Sequence, residues 1–298
     1  MSESYEVTAT ALNLRSEPVV APSSKLAMLP EGQVVLKLSA ADDATWWLIE
    51  TKLNSVTFRG YVKRQYLAAA SSTSSANGAV GRAPEVHLTP KSAIRRDQSH
   101  GRAYPLNEAH QPRRTEISPE SLIRIVDWLD VESHARYLPV PGATYCNIYA
   151  YDYCYLAGSF LPRVWWTSGA LQRLASGEEV LPLYENTVTE LNANSLYNWF
   201  GEHGPAFGWR RVAEPSDLQS VANRGGVAVI CGKRKDLNRS GHIVAVVPET
   251  PGHQAVAADG VVRVPLQSQA GATNFRYGAS KRWWLDDKFS AFGFWVRD

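Results

Sequence analysis

Two residues far apart in the chain carry the clearest chemistry, Cys146 and His242. Cys146 lies in "PVPGATYCNIYAYDYCYLAG". There Pro141 and Gly142 break the chain, Thr144 can cap a helix, and the helix is expected from about Tyr145 to Leu156, stopping near Gly158. The sulfur then falls in the first helical turn, where unpaired backbone N–H groups and the helix dipole favour thiolate over thiol. A thiolate needs a base to be useful. Of the 7 histidines, His242 opens a strongly β-prone run, "SGHIVAVVPE", directly after a glycine, whereas most of the others sit in polar, irregular sequence. A strand start puts a side chain on the rim of a sheet, where clefts open. A lone histidine there is usually structural, but a helix-head cysteine makes it half of a nucleophile–base pair.

The 3 cysteines are odd in number and do not form a disulfide framework. Cys146 and Cys154 are eight residues apart on one predicted helix, about 12 Å along its axis and too far to bridge. Cys154 is mid-helix and reads as core packing. Cys231 ends the strand "VAVIC", and Lys233 and Arg234 could lower its pKa, but nothing near it supplies a base.

The elements that must position this pair come in two parts. A chain of 298 residues suggests two domains; 44% hydrophobic and 20% charged residues with a net charge of +2 describe a globular protein. That balance gives no reason to invoke nucleic acid, and "IRRDQ" and "QPRRTE" read as solvated faces. No apolar run approaches the ~18 residues of a membrane span. The N-terminus lacks a signal-peptide layout, so the chain is expected to be synthesised in the cytoplasm. Residues 5 to 67 read as short strands: "YEVTATALNLRS", "KLAMLPEGQVVLKLSA", "TWWLIETK" and "FRGYVKRQYL". Turns are expected at Glu17-Pro18, Pro30-Glu31-Gly32, Asp42-Asp43 and Asn54-Ser55. Residues 68–83 read as a flexible linker and residues 84–117 as an irregular arm lying on the second domain. A helix then begins at Ser118, with Ser118 as N-cap, Pro119 in the first turn, and Leu122, Ile125, Trp128 and Leu129 at helical spacing. "GGVAVICG", "GHIVAVVPE", "HQAVAAD" and "GVVRVPLQSQ" follow as strands. Helices before an antiparallel sheet give an α+β second domain over residues 84–298.

Two resemblances add to this. "ALNLRSEP", "LPEGQVV", "WWLIE" and "GYVKRQYL" in that order resemble a bacterial SH3 domain over residues 1–67. This implies an all-β SH3-like barrel that binds cell-wall peptides or only packs on its neighbour. Trp46 and Trp47 face opposite sides of a strand, one expected in the core and the other offering a surface for a ligand. Cys146 in "TYCNIYAYDY" and His242 in "SGHIVAVVPE" resemble the papain-like cysteine peptidases of bacterial cell walls, the NlpC/P60 and CHAP group. The chain departs from them in having Tyr145-Cys146-Asn147 where NlpC/P60 members commonly have Asp-Cys-Ser. It also lacks the Gln that often precedes the CHAP cysteine.

The resemblance implies a third polar residue on a following strand that orients the histidine. Gln267 and Gln269 share one face of "VVRVPLQSQAGATN", and Gln269 lies nearer the strand end. A glutamine carbonyl can accept from imidazole and fix its tautomer. Asp259 is the rival if "HQAVAAD" pairs instead, and Glu249 lies too far along. Tyr145, Trp165 and Trp166 are the expected substrate-binding residues, the two tryptophans because they follow the nucleophile helix, although core packing competes for any one Trp. The implied activity is hydrolysis of a peptidoglycan amide by a monomer without metal or other cofactor, at the cell wall after lysis or dedicated export. A phage lysin, a delivered toxin and a wall-remodelling enzyme all fit. The rivals are a muramidase using carboxylates among Glu178, Glu179, Glu185 and Glu190, and a non-catalytic cell-wall or phage-particle binding protein.

Overall fold

The computed structural model describes residues 3–9, 11–30, 33–41, 43–53, 56–69, 83–88 and 103–298. The expected turns at Glu31-Gly32, Asp42 and Asn54-Ser55, the body of the linker and the Arg-rich stretch 94–98 lie outside the described residues. The chain divides into two compact units, one formed by Met1–Ala83 with Thr167–Val180, the other by Pro84–Trp166 with Leu181–Asp298.

The first unit is an antiparallel sheet. Its strands are β1 (Glu3–Val7), β2 (Ala11–Arg15), β3 (Lys25–Pro30), β4 (Val34–Ala40), β5 (Trp46–Leu53), β6 (Val56–Lys63) and β7 (Leu67–Ala69). They lie in the order β3-β2-β6-β5-β4-β1-β7. The expected short strands are all present, but the expected barrel is not closed among the described residues. Edge strands β3 and β7 are not paired with each other, and β7 is only 3 residues long. Strand β2 meets β6 through Arg15 and Tyr61. Gly60 permits that approach, because a Cβ there would sit 2.5 Å from the Arg15 carbonyl oxygen. One face buries Val7, Leu12, Leu14, Leu29, Val35, Trp47, Ile49 and Val62.

Both tryptophans of β5 are buried, Trp46 at 3% and Trp47 at 7% exposure. The Lys63 ammonium lies 4.6 Å over Trp46, and Trp47 packs edge-on against Tyr5 with Lys37 above it. The alternation of β5 holds, yet a cation caps the outward indole, a contact worth about 0.5–1 kcal/mol at such sites. Neither ring therefore offers the open aromatic face the sequence suggested.

The second unit begins with the arm, whose residues 84–88 and 105–117 form neither helix nor strand. It is anchored by the His87–Tyr151 hydrogen bond at 3.1 Å and by Arg113 stacked over Tyr155. Helix α1 (Pro119–Leu129) starts as expected: the Ser118 hydroxyl accepts from Ser121 N–H, Pro119 occupies the first turn, and Leu122, Ile125, Val126 and Leu129 are buried. Helix α2 (Cys146–Leu156) is buried on nearly all sides. Strand β8 (Val164–Trp166) follows. Helix α3 (Ser168–Ala175) belongs to the first unit, an excursion that composition does not signal. After β9 (Val188–Glu190) come α4 (Ala193–Glu202), β10 (Arg210–Val212), α5 (Pro215–Asn223), β11 (Val227–Arg234), β12 (His242–Val246), the hairpin β13 (Val256–Ala258) and β14 (Val261–Val264), then β15 (Gln267–Gln269), β16 (Phe275–Gly278) and β17 (Phe289–Arg297).

The main sheet is antiparallel, in the order β10-β17-β11-β12-β15-β16, and the unit is α+β. Its central strands read as continuous apolar runs because both faces are covered: β11 and β12 are buried through Val227–Gly232 and Ile243–Val246. Leu218, Val221 and Ala222 of α5 pack with Ile230, Val244, Trp284 and Phe294 in one core cluster.

Candidate active site

Cys146 is the first residue of α2, as its sequence predicts, but the cap is not Thr144. Tyr145 takes the N-cap position without a side-chain hydrogen bond, and Thr144 instead lines a cleft. The first turn is held by Asn147, whose amide donates to the Leu191 carbonyl at 2.9 Å. Deeper along α2, Asp152 is fully buried and accepts from Arg136 Nε at 2.6 Å and from the Tyr137 hydroxyl at 2.9 Å, tying the helix to the segment before it.

The Cys146 thiol is only 3% exposed. Burial pushes its pKa up, while the backbone N–H groups of Ile243, Asn147 and Cys146, with the charge of Arg163, pull the other way. The balance is upward, so the sulfur rests as a thiol. The expected helix-head effect is present but is outweighed by desolvation. The Ile243 N–H that faces the sulfur belongs to the residue directly after His242, so the start of β12 lies against the head of α2.

His242 opens β12 opposite Gly232 of β11. Gly241 is obligatory in front of it: a Cβ there would lie 2.2 Å from the Gly232 carbonyl oxygen and 2.7 Å from Asn194 Oδ1. Asn194 closes the β11–β12 loop from α4, accepting from Arg234 N–H at 2.9 Å and donating to the Arg239 carbonyl at 2.8 Å. No sequence motif marks Asn194 for this role.

Gln269 is the partner of His242. Its Oε1 lies 2.6 Å from His242 Nε2, and its own Nε2 donates to the Thr273 carbonyl at 2.9 Å. The second bond turns the amide so that oxygen, not nitrogen, meets the imidazole. Nε2 must then carry the proton, which leaves Nδ1 as the basic nitrogen. Burial pushes the imidazole pKa down to about 4; the Gln269 hydrogen bond opposes this, and Lys288 and Arg234 add to it. At neutral pH the histidine is uncharged and can take a proton.

Gln267 shares the face of Gln269 but does not touch the imidazole. Its Oε1 accepts from Trp283 Nε1 at 2.8 Å, and Trp283 packs against His242. Trp283 was visible in the sequence only as one of several aromatic pairs. Asp259 and Glu249 lie elsewhere: Asp259 is in the exposed β13–β14 turn with φ +52°, and Glu249 accepts from Asn223.

A cleft of about 1180 Å³ opens over this group, lined among others by Thr144, His242, Gln269, Trp283 and Phe289. The three expected substrate contacts are placed elsewhere. Trp165 is 5% exposed and packs with Phe160, Trp199 and Phe207, and Trp166 is 6% exposed with its indole N–H on the Pro84 carbonyl. Tyr145 is half-buried and outside the cleft lining. An aromatic cluster of that size gains more from burial than from lining a groove. The four carboxylates of the muramidase alternative do not line the cleft either; Glu178 pairs with Arg173 in the first unit, and Glu190 with Arg163 in the second.

No protein-family model matches the chain. No curated protein matches it. Among solved structures, NlpC2 from Trichomonas vaginalis matches at 10% sequence identity, covering 100% of this chain and 72% of that chain with a TM-score of 0.22. So low a score carries no argument, and the site stands on its own geometry.

Proposed function

We propose that this chain is a papain-like cysteine hydrolase that cuts an amide bond in peptidoglycan. In this reading the first unit serves as an SH3-like wall-targeting module. The observation that carries the proposal is the His242–Gln269 hydrogen bond of 2.6 Å on a cleft wall. His242 Nδ1 takes the thiol proton as sulfur attacks the scissile carbonyl. The imidazolium then protonates the leaving amine, and water releases the acyl-enzyme with the same imidazole as base. The backbone N–H of Cys146 is the natural donor to the oxyanion. Gln269 keeps the ring in the tautomer this cycle needs. In this reading a protonated thiol and a neutral imidazole make the proton transfer part of the attack, in place of a preformed ion pair.

One observation favours a second reading, a wall-binding protein without turnover: the sulfur is almost wholly covered. Digesting purified peptidoglycan and analysing the fragments by mass spectrometry separates the readings. New free amines that disappear in Cys146→Ala, with wall binding retained, are the expected result. New reducing ends identify a muramidase, and absence of products identifies a binder.

A further inference from the structure

We infer that the cleft selects a peptide substrate carrying free carboxylates beside the scissile amide and discriminates against the amidated counterpart. This rests on the hydrolase reading of the same site. Four cationic side chains line the cleft, Arg234, Arg239, Lys281 and Lys288, and no aspartate or glutamate does so among the described residues. The chain as a whole is only +2, so the asymmetry is local.

The four cations are not equivalent. Lys288 is paired with Asp286 at 2.7 Å and is largely neutralised. Arg234 makes no ion pair but lies in electrostatic reach of Asp286: its Nε donates to the Ser240 carbonyl at 3.2 Å and its guanidinium lies over the Phe289 ring. Arg239 and Lys281 are exposed, and their side chains make no ion pair or hydrogen bond with any described residue. Four cationic side chains thus converge on one concavity whose walls also carry Trp283 and Phe289, with the Asp286 carboxylate in electrostatic reach of Arg234, Lys281 and Lys288. A cleft of one sign with low-dielectric walls focuses its field on what enters. A guanidinium and an ammonium recognise a carboxylate by charge-assisted hydrogen bonds, whereas a primary amide of the same shape lacks the charge. The chemistry of His242 and Cys146 acts on amides, which makes the matching anion a peptide carboxylate.

The test uses the full chain. Binding of a synthetic stem peptide with free side-chain carboxylates, and of its amidated form, is measured by calorimetry on Cys146→Ala. Cleavage of both is measured with the unaltered protein. The free form should bind about tenfold tighter at low salt, and the preference should shrink from about 0.05 to about 0.5 M salt. Arg239→Gln combined with Lys281→Gln, both at exposed positions, should abolish the preference while the amidated peptide binds as before. Equal binding of the two peptides, binding of neither, or equal competition by inorganic phosphate would overturn the inference. Equal binding accompanied by cleavage would leave the hydrolase reading standing. A clear preference without cleavage would remove the hydrolase reading and keep the carboxylate site.

Discussion

The indole of Trp283 stands at 78° to the imidazole of His242, with ring centroids 4.7 Å apart. Trp283 is itself fixed by donating its N–H to Gln267, so one glutamine orients the histidine and the other orients the aromatic wall that dries it. Burial holds the His242 pKa low against the Gln269 hydrogen bond, with Lys288 and Arg234 adding to it, and the indole is one of the groups packed on the ring.

This arrangement makes the fold acid-sensitive. The imidazole pKa is about 4 in the folded chain against an ordinary 6.5, so between those values the unfolded chain binds the proton and the folded chain does not. Stability should therefore fall as pH drops from about 6.5 towards 4, and this group should contribute nothing to pH dependence above that window. His87 and His203 are shifted in the same direction by burial. The difference in melting temperature between the unaltered chain and His242→Gln, followed across pH, isolates the His242 share. Trp283→Leu should bring the imidazole pKa back towards 6.5, read from its NMR titration.

Replacing Gln269 by Glu should raise the imidazole pKa, because a carboxylate at hydrogen-bond distance favours imidazolium. A rise of about 1–3 units is the usual size. The acidic limb of the kcat/KM–pH profile then moves up from near 4, and activity at pH 6 falls. Gln269→Ala should lower kcat by roughly 10²-fold through loss of the tautomer, within the range general-base contributions span. Unchanged profiles in both variants would show that Gln269 does not act on the histidine.

Gly241→Ala should be damaging despite the small change. The added methyl would meet the Gly232 carbonyl oxygen and Asn194, both parts of the frame that closes the β11–β12 loop. Overpacking against backbone costs about 1–3 kcal/mol. Urea denaturation should show that loss, and the variant should lose activity more steeply than stability because His242 is the next residue.

Arg136→Ala should be more destabilising still. Asp152 has no exposed surface, and without the guanidinium its charge is left buried with the Tyr137 hydroxyl and the more distant Arg163. Breaking a buried pair from one side costs about 3–5 kcal/mol. Adding Asp152→Asn to Arg136→Ala should recover part of the loss in the same denaturation measurement.

The parts of the site that could be read from sequence are those set by local rules. Pro141-Gly142 before an apolar run places Cys146 at a helix head, Gly241 before a β-prone run places His242 at a strand start, and strand parity puts Gln267 and Gln269 on one face. The rest depends on which surfaces meet. Trp165 and Trp166 follow the nucleophile helix in the chain, but Phe160, Trp199 and Phe207 draw Trp165 into an aromatic cluster and the Pro84 carbonyl holds Trp166. Trp283 reaches His242 from a turn between β16 and β17, and Asn194 from α4, at separations no spacing pattern encodes. In the first unit the strands were readable from alternation and turn residues. Closure of their sheet is a matter of edge pairing, which alternation does not determine.

Helix α2 offers no solvent-facing side along most of its length, with Cys146, Ile148 through Cys154 and Leu156 all covered. A helix enclosed in this way has no partial opening by which to fray. Its amides should exchange with deuterated solvent only when the whole unit unfolds, which places Cys146 on one of the most slowly exchanging segments of the chain. Any access to that sulfur must then come from movement of the elements packed over it and not from the helix that carries it.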